Sequence, residues 1–323
     1  MTADAPAPHR ATLRIVAALG GNALLRRGEA LTAQAQQATI ATAAGLLAEL
    51  VAGGDRLVVT HGNGPQVGLL ALQSAAGPAA SVLPLDVLGA ASEGWVGYAL
   101  ELGLRHALPA GAELVTILTQ TVVGRDDPAF DAPVKPIGPV YASGAAHRLA
   151  LARGWVVAPD GQGWRRVVAS PKPLRIVEIA TIERLAEAGV IVICAGGGGI
   201  PVIEAKDGVL EGIEAVIDKD AASALLAIAL KADQLVMLTD VPGVYLDYGT
   251  DHQRLIRSAS PDALKPHTSA FRAGSMGPKV AAACAFAEAT GHVAAIGALA
   301  DCAGLVAATS GTAIGIGLDL VFA

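Results

Sequence analysis

Short apolar runs alternate with longer Ala- and Leu-rich stretches of helical periodicity along the first third of the chain. The run at 13–19 (LRIVAAL) predicts a buried strand, and the stretch at 32–51 predicts a helix. A second strand is predicted at 56–60 (RLVVT), a second helix at 86–108 and a third strand at 113–119. Strand, crossover helix and strand in this order predict a parallel sheet.

The same alternation returns in the second half of the chain. Helices are predicted at 177–188, 219–232 and 276–290, and strands at 190–195, 235–239 and 293–296. Hydrophobic residues make up 53% of the chain but aromatic residues only 3%, which is typical of parallel strands buried on both faces by helices. We therefore predict one α/β domain over 1–323 with a doubly wound sheet, of which the first residues, 1–11, are flexible.

Between these regular parts lies a segment, 124–173, in which the alternation stops. It contains seven of the 18 prolines and two of the three tryptophans. Such a segment is too long for a plain loop and too rich in turn residues for a simple crossover. We predict an inserted subdomain that reaches over a site.

Charge and cysteine usage narrow the class of partner. The net charge of −6 argues against a nucleic acid or an anionic membrane, because both require a basic surface. The uncharged stretches fall short of the roughly 18 apolar residues of a membrane span. Cys194, Cys284 and Cys302 are far apart in apolar segments, which favours small buried side chains over metal ligands. We expect a cytoplasmic protein.

Three predicted strands end in glycine-rich turns, which begin at Gly20 (GGNAL), His61 (HGNGPQVG) and Gly196 (GGGGIPV). Ligands of parallel sheets bind at the carboxyl ends of strands, where backbone N–H groups favour anions. Neither the P-loop nor the dinucleotide-binding spacing is present. The only two asparagines, Asn22 and Asn63, lie in these turns and either donate to an anion or adopt a left-handed backbone.

Lysine is sparse, with seven residues, and three of them stand in unusual contexts. Lys219 and Lys279 lie at predicted helix starts, where an anionic partner would offset the unfavourable helix dipole, and Lys135 lies in KPIGP. Asp218 and Asp220 flank Lys219 and either cap the helix or, in the case of Asp220, orient a catalytic lysine.

His61 stands beside a glycine turn at the end of a strand. It is either a general base or an ordinary hydrogen-bonding histidine. The sequence leaves its role open, together with that of Lys172 in SPKP.

Seven motifs share an order and spacing with a known family. They are ALGGNAL (18–24), HGNGPQVG (61–68), KPIGPVY (135–141), GWRRVVASPKP (163–173), GGGGIPV (196–202), EAVIDKDAAS (214–223) and GSMGPKV (274–280). In these motifs the chain resembles the carbamate kinases, a branch of the amino acid kinase superfamily. Two positions depart from the family pattern, since Glu93 stands where a glutamine is expected and Ala169 where a proline is expected.

The resemblance implies a three-layer αβα sandwich with a protruding subdomain, a homodimer, and reversible transfer between carbamoyl phosphate and ADP to give ATP and carbamate. It also implies Mg²⁺ bridging the nucleotide phosphates. The implied catalytic residues are Lys135, Lys219, Asp220 and Lys279. The implied substrate-phosphate residues are Gly20, Gly21, Asn22, Gly62, Asn63 and Gly64. The implied nucleotide residues are Gly196, Gly197, Gly198, Gly199, Thr239, Asp240, Ser275, Met276 and Lys279.

Two rival functions stay open at this point. One is another amino acid kinase, which acts on acetylglutamate, glutamate or aspartate. The segment 124–173 and its KPIGP motif speak against it. The other is a non-catalytic sensor of nucleotide or carbamoyl phosphate, against which the three lysines speak.

Overall fold

The computed structural model describes residues 12–21, 24, 32–78, 81–272 and 274–323. The strands are β1 (Arg14–Leu19), β2 (Arg56–His61), β3 (Leu114–Thr116), β4 (Gln120–Val123), β5 (Lys135–Tyr141), β6 (Val156–Asp160), β7 (Gly163–Val168), β8 (Pro173–Ile176), β9 (Ile191–Ile193), β10 (Ile200–Glu204), β11 (Leu210–Gly212), β12 (Gln234–Thr239), β13 (Val244–Leu246), β14 (Arg254–Ala259), β15 (Val293–Ala298), β16 (Thr312–Ile314) and β17 (Val321–Phe322). The helices are α1 (Ala33–Ala52), α2 (Gly64–Ala76), α3 (Leu85–Ala107), α4 (Ser143–Arg153), α5 (Ile179–Glu187), α6 (Lys219–Ala229), α7 (Pro261–Leu264), α8 (Met276–Thr290) and α9 (Cys302–Val306). The predicted flexible segment 1–11 and the predicted ligand residue Asn22 lie outside the described residues.

The central sheet has the strand order β13-β14-β16-β15-β12-β1-β2-β9-β3, with β17 paired to β14. The six strands from β15 to β3 in this order run parallel to their neighbours. Leu19 at the end of β1 pairs with His61 of β2 and with Leu238 of β12. The carboxyl ends of these three strands therefore meet at one edge of the sheet.

Alternate residues of the parallel strands feed two separate apolar layers. Ile15 and Leu19 face one layer, which is formed with α1, α3 and α9. Val16 and Ala18 face the other, which is formed with α5, α6 and α8. Because both faces are buried, the strands read as continuous apolar runs, and the predicted αβα sandwich is confirmed.

The segment predicted as an insertion contains a small sheet of its own. Strands β5, β7 and β6 form a three-stranded antiparallel sheet, and α4 packs against β6 and β7. Strand β8, at the end of the segment, instead joins β4, β10 and β11 in a separate four-stranded sheet. The three-stranded sheet lies over the carboxyl ends of the central strands, where its Lys135 lines a cleft. The division of the chain at 124 and 173 stays a prediction.

Two features of the fold differ from the expectation. The motif HGNGPQVG does not end in a turn but begins α2, because Asn63 takes the N-cap position and Pro65 follows in the first turn. The last part of the sheet is antiparallel at β13–β14 and β15–β16, whose short strands carry little periodicity. None of the helices in the described ranges is long and apolar enough to cross a bilayer.

Candidate active site

A cleft of about 1210 Å³ opens where the ends of β1, β2 and β12 face the three-stranded sheet. It brings together most of the residues that the sequence predicted for the site. The predicted residues that line it are Gly20, Gly21, Gly62, Asn63, Gly64, Lys135, Gly197, Lys219, Asp220, Thr239, Asp240, Ser275, Met276 and Lys279. Its volume is ample for a nucleotide and a small second substrate.

Glycine at the strand ends allows the backbones to approach one another. The N–H of Gly20 donates to the Leu238 carbonyl at 2.9 Å, and that of Gly62 donates to the Leu19 carbonyl at 3.2 Å. A Cβ on Gly20 would stand 2.8 Å from the Leu238 oxygen, closer than real Cβ contacts. The turn after β1 therefore requires glycine for packing, and this keeps the bottom of the cleft free of side chains.

Two lysines, each with a side chain that is 11% exposed, share one carboxylate at the bottom of the cleft. Lys219 Nζ lies 2.9 Å from Asp220 Oδ1, and Lys279 Nζ lies 3.0 Å from Asp220 Oδ2. Lys219 Nζ also donates to the Leu19 carbonyl at 3.1 Å, so it stands at the end of β1. The three side chains come from the first turns of α6 and α8, whose positions the central sheet fixes.

The charges in this cluster depend on one another. Burial alone would raise the pKa of Asp220, but the ammonium groups of Lys219 and Lys279 outweigh it and hold the pKa at about 2. Burial lowers the pKa of Lys219, and the charge of Lys279 lowers it further, while Asp220 opposes both. The carboxylate thus offsets the cost of placing the two lysine side chains close together in a poorly solvated site.

The third lysine is held by a different carboxylate. Lys135 Nζ lies 2.5 Å from Asp218 Oδ2. The other oxygen of Asp218 accepts the N–H groups of Asp220 and Ala221 at 2.9 and 3.1 Å and so caps α6. The two aspartates that the sequence could not separate therefore differ in role, since Asp218 caps the helix and Asp220 orients the lysines.

Comparisons with known proteins agree with this arrangement. The family model of the amino acid kinase family matches residues 13–297. The chain belongs to the amino acid kinase family and, within it, to the carbamate kinases. It is 51% identical to the carbamate kinase of Rhizobium meliloti (strain 1021) over 94% of this chain and 93% of that protein. It is 49% identical to that of Haemophilus influenzae over 94% and 96%. The solved carbamate kinase from Giardia lamblia bound to AMP-PNP is 39% identical, with a TM-score of 0.84 over 94% of this chain and 98% of that chain.

In this carbamate kinase fold, His61 stands behind the cleft and does not line it. Its ring is fully buried, and its Nδ1 lies 2.9 Å from the Gly62 carbonyl oxygen. Burial lowers the pKa of His61 to about 4, with a smaller contribution from the charge of Lys219. Because the imidazole is neutral and buried away from the cleft, we interpret His61 as an ordinary hydrogen-bonding histidine and not as a general base.

The glycine turn after β9 is also mostly behind the cleft. Gly197 lines the cleft, but its three neighbours, Gly196, Gly198 and Gly199, are packed against other groups. A Cβ on Gly197 would stand 2.1 Å from the Asn63 amide, and Gly197 has a φ of +67°. The turn therefore touches the Asn63 side of the cleft, away from Thr239 and Asp240 at the end of β12. Its predicted role in nucleotide binding stays a prediction.

Asn63 is held by its neighbours. Its Nδ2 donates to Ser92 Oγ at 2.7 Å, and its φ of −144° is not left-handed. The alternative that this asparagine was needed only for a left-handed backbone is therefore wrong. Asn63, Gly64 and Pro65 line the cleft, so the N-terminus of α2 lies there, and a helix N-terminus favours an anion.

Several groups near the cleft were not singled out from the sequence. Tyr245, Tyr248 and Phe271 line it, and the rings of the two tyrosines lie 5.7 Å apart. Aromatic residues make up only 3% of the chain, so each of them could have been considered as a candidate site residue from the sequence. Lys172 is exposed and does not line the cleft. Within the described residues, no three His, Cys, Asp or Glu side chains group as a metal cage.

Proposed function

We propose that the protein is a carbamate kinase that transfers a phosphoryl group reversibly between carbamoyl phosphate and ADP, giving ATP and carbamate. The observation that carries this proposal is the pair of lysines on the buried Asp220, at the bottom of a cleft in a chain of the carbamate kinase branch. Lysines held in this way suit a reaction in which charge accumulates on phosphoryl oxygens.

The reaction requires that the two substrates be positioned and that charge on the transferring phosphoryl group be neutralised, and it does not require a general base. In the direction of ATP formation, a terminal phosphate oxygen of ADP attacks the phosphorus of carbamoyl phosphate. The bond from phosphorus to the carbamate oxygen breaks, and carbamate leaves with the electron pair. Carbamate is already an anion, so no proton has to be moved in either direction. Lys219 and Lys279 neutralise the oxygens of the transferring group, and Lys135 closes on it from above.

The two substrates would divide the cleft between them. Gly20, Gly21 and Gly62 carry no side chains and so leave room for the phosphate of carbamoyl phosphate. The start of α2 at Asn63 and Gly64 brings a helix N-terminus, which favours an anion, to the same place. Thr239, Asp240 and the 275–279 turn suit the nucleotide, and Tyr245 and Tyr248 suit its base. The relative from Giardia lamblia that binds AMP-PNP supports nucleotide use.

Mg²⁺ would enter with the nucleotide. The two carboxylates closest to the lysines, Asp218 and Asp220, are engaged in ion pairs and helix capping. The donor set therefore fits an ion held mainly by phosphate oxygens better than one held by a cage of side chains. Such an ion would neutralise part of the negative charge on the phosphates of the nucleotide.

One assay tests the function and separates it from its rivals. Purified protein is mixed with carbamoyl phosphate, ADP and Mg²⁺, and ATP is followed with luciferase. We expect ATP to form in proportion to the protein added. A sensor would bind both ligands and form none. A different amino acid kinase would form ADP from ATP with acetylglutamate, glutamate or aspartate in a coupled assay, and would leave carbamoyl phosphate unused.

We also propose a homodimer in the cytoplasm. Helix α3 carries an exposed apolar side with Val87, Tyr98 and Leu102, of which Tyr98 is 67% exposed, and Leu118 lies beside Gly94 of the same helix. An apolar patch of this kind suits a second copy of the chain. Sedimentation equilibrium measures the mass, and a monomer at micromolar concentration would contradict the dimer.

The three cysteines stand as separate thiols, which suits a reducing compartment.

A further inference from the structure

Two glycine backbones touch where the three-stranded sheet meets the rest of the protein. Gly68 lies inside α2, and Gly138 lies in β5, three residues after Lys135. A Cβ built on Gly68 would stand 2.2 Å from the Gly138 Cα and 2.4 Å from its nitrogen, whereas ordinary contacts of a Cβ begin at 3.4 Å. Because the obstructing atoms are backbone, no rotamer change relieves this clash.

Glycine is otherwise unfavourable at position 68. The residue is in the interior of a 13-residue helix, where alanine is favoured over glycine by about 1 kcal/mol. The backbone of α2 at this position is helical, so no left-handed conformation demands glycine. The close approach of β5 is the reason that remains for the missing side chain.

Gly138 satisfies a different requirement at the same contact. Its φ is +72°, the left-handed region, and a Cβ there would meet Gly68 only at 3.7 Å. Its conformation therefore turns β5 toward α2, and the absence of a side chain on Gly68 allows the two backbones to come into contact.

The strand that makes this contact carries Lys135 into the cleft. Next to Gly138, Ile137 is 2% exposed and packs with Val168 against Val67 and Ala71 of α2. This small apolar cluster is separate from the two layers of the central sheet. The position of the three-stranded sheet over the cleft is thus set where β5 contacts α2, three residues or about 10 Å along the strand from Lys135.

We propose that Gly68 and Gly138 are positioning residues whose backbone contact sets how far Lys135 reaches into the cleft. The inference rests on the proposed phosphoryl transfer, in which Lys135 acts from above the transferring group. A methyl group on Gly68 would force β5 to retreat by roughly an ångström, and a displacement of about 1 Å at a reacting group can lower a rate by about 100-fold.

The test compares Gly68→Ala with Gly45→Ala in the ATP-formation assay. Gly45 also lies inside a helix, α1, but a Cβ there meets nothing within 4 Å. We expect Gly68→Ala to lower kcat by about 100-fold, with the KM for ADP and the far-UV circular dichroism unchanged. Gly45→Ala should keep the wild-type rate.

A double-mutant cycle shows whether the effect passes through Lys135. In a Lys135→Ala background, Gly68→Ala should lower the rate further by no more than about twofold. A wild-type rate in Gly68→Ala or in Lys135→Ala would overturn the inference, and so would a further loss of about 100-fold when Gly68→Ala is added to Lys135→Ala. ATP formation by the unmodified protein shows separately that the proposed function stands. If Gly68→Ala does not fold, Gly138→Ala, which leaves α2 unchanged, is carried through the same cycle with the same criteria.

Discussion

Replacement of Glu93 by glutamine isolates the energetic cost of a buried carboxyl group. Glu93 is 1% exposed, and its two oxygens accept the N–H groups of Gly196 at 2.9 Å and of Thr119 at 3.2 Å. Burial raises the pKa of Glu93 to about 8, although these two hydrogen bonds lower it in part. At neutral pH the folded protein therefore holds a proton that the unfolded chain has released.

The size of the effect follows from the two pKa values. Between about pH 4.5 and 8 the folded state binds the extra proton, so each pH unit lowers the free energy of unfolding by about 1.4 kcal/mol. Over the whole interval the loss is about 5 kcal/mol. Glutamine does not titrate. Its amide nitrogen cannot accept, however, so one of the two backbone N–H groups loses its partner at a cost of about 1–2 kcal/mol.

The stabilities of the two proteins should therefore cross as the pH rises. At about pH 5 Glu93→Gln is expected to be the less stable by about 1–2 kcal/mol, and at about pH 9 the more stable by about 3 kcal/mol. Urea unfolding at intervals of about one pH unit measures both curves. All other titrating groups are shared, so the difference between the curves reports on residue 93. Parallel curves would refute the reasoning.

Three other predictions concern the charges of the site. Lys219→Ala and Lys279→Ala should each lower kcat by about 100- to 1000-fold with the fold intact. Lys206 is exposed, and Lys206→Ala should keep the wild-type kcat. Near-normal turnover in both site variants would contradict the assignment. The pKa of Asp220 is depressed from 3.8 to about 2, so its stabilisation of about 2 kcal/mol is present above about pH 4 and lost toward pH 2. Asp220→Asn should lack this acid limb in urea unfolding and cost about 3–5 kcal/mol at neutral pH, because two buried ammonium groups remain; an unchanged acid limb would argue against the ion pair. Chelation with EDTA should abolish ATP formation without altering the thermal midpoint of the ligand-free protein, whereas a lowered midpoint would indicate a metal ion held by the chain itself.

Much of the fold was predictable because its strands are buried on both faces. The predicted helix at 276–290 coincides with α8, and the predicted strand at 235–239 differs from β12 by one residue. Helix α2 was missed, since its first residues are the glycines and proline of a motif that also describes a turn. Strands such as β13 and β16 are three residues long, too short for any periodicity to appear.

The site was predictable as far as residue type and position along an element could indicate it. Sparse lysines at helix starts pointed to Lys219 and Lys279, and both line the cleft. The division of labour between Asp218 and Asp220 could not be predicted, because it depends on side-chain direction at two positions of one helix turn. The burial of Glu93 was equally hidden, since it requires the turn at Gly196 to fold back onto α3.

The three lysines differ in how firmly they are held, and this difference explains the two kinds of carboxylate around them. Lys219 and Lys279 each pair with one oxygen of Asp220, and both project from helices that pack on the central sheet. Their positive charge is thus in place before any phosphate arrives, and little ordering is left for the moment of transfer. Lys135, whose side chain is 31% exposed, comes instead from the three-stranded sheet and is paired with Asp218 at the cleft surface. An arriving phosphate must compete with Asp218 for this lysine. The position of the third charge therefore depends on how the three-stranded sheet packs on α2, at a contact three residues along β5 from Lys135.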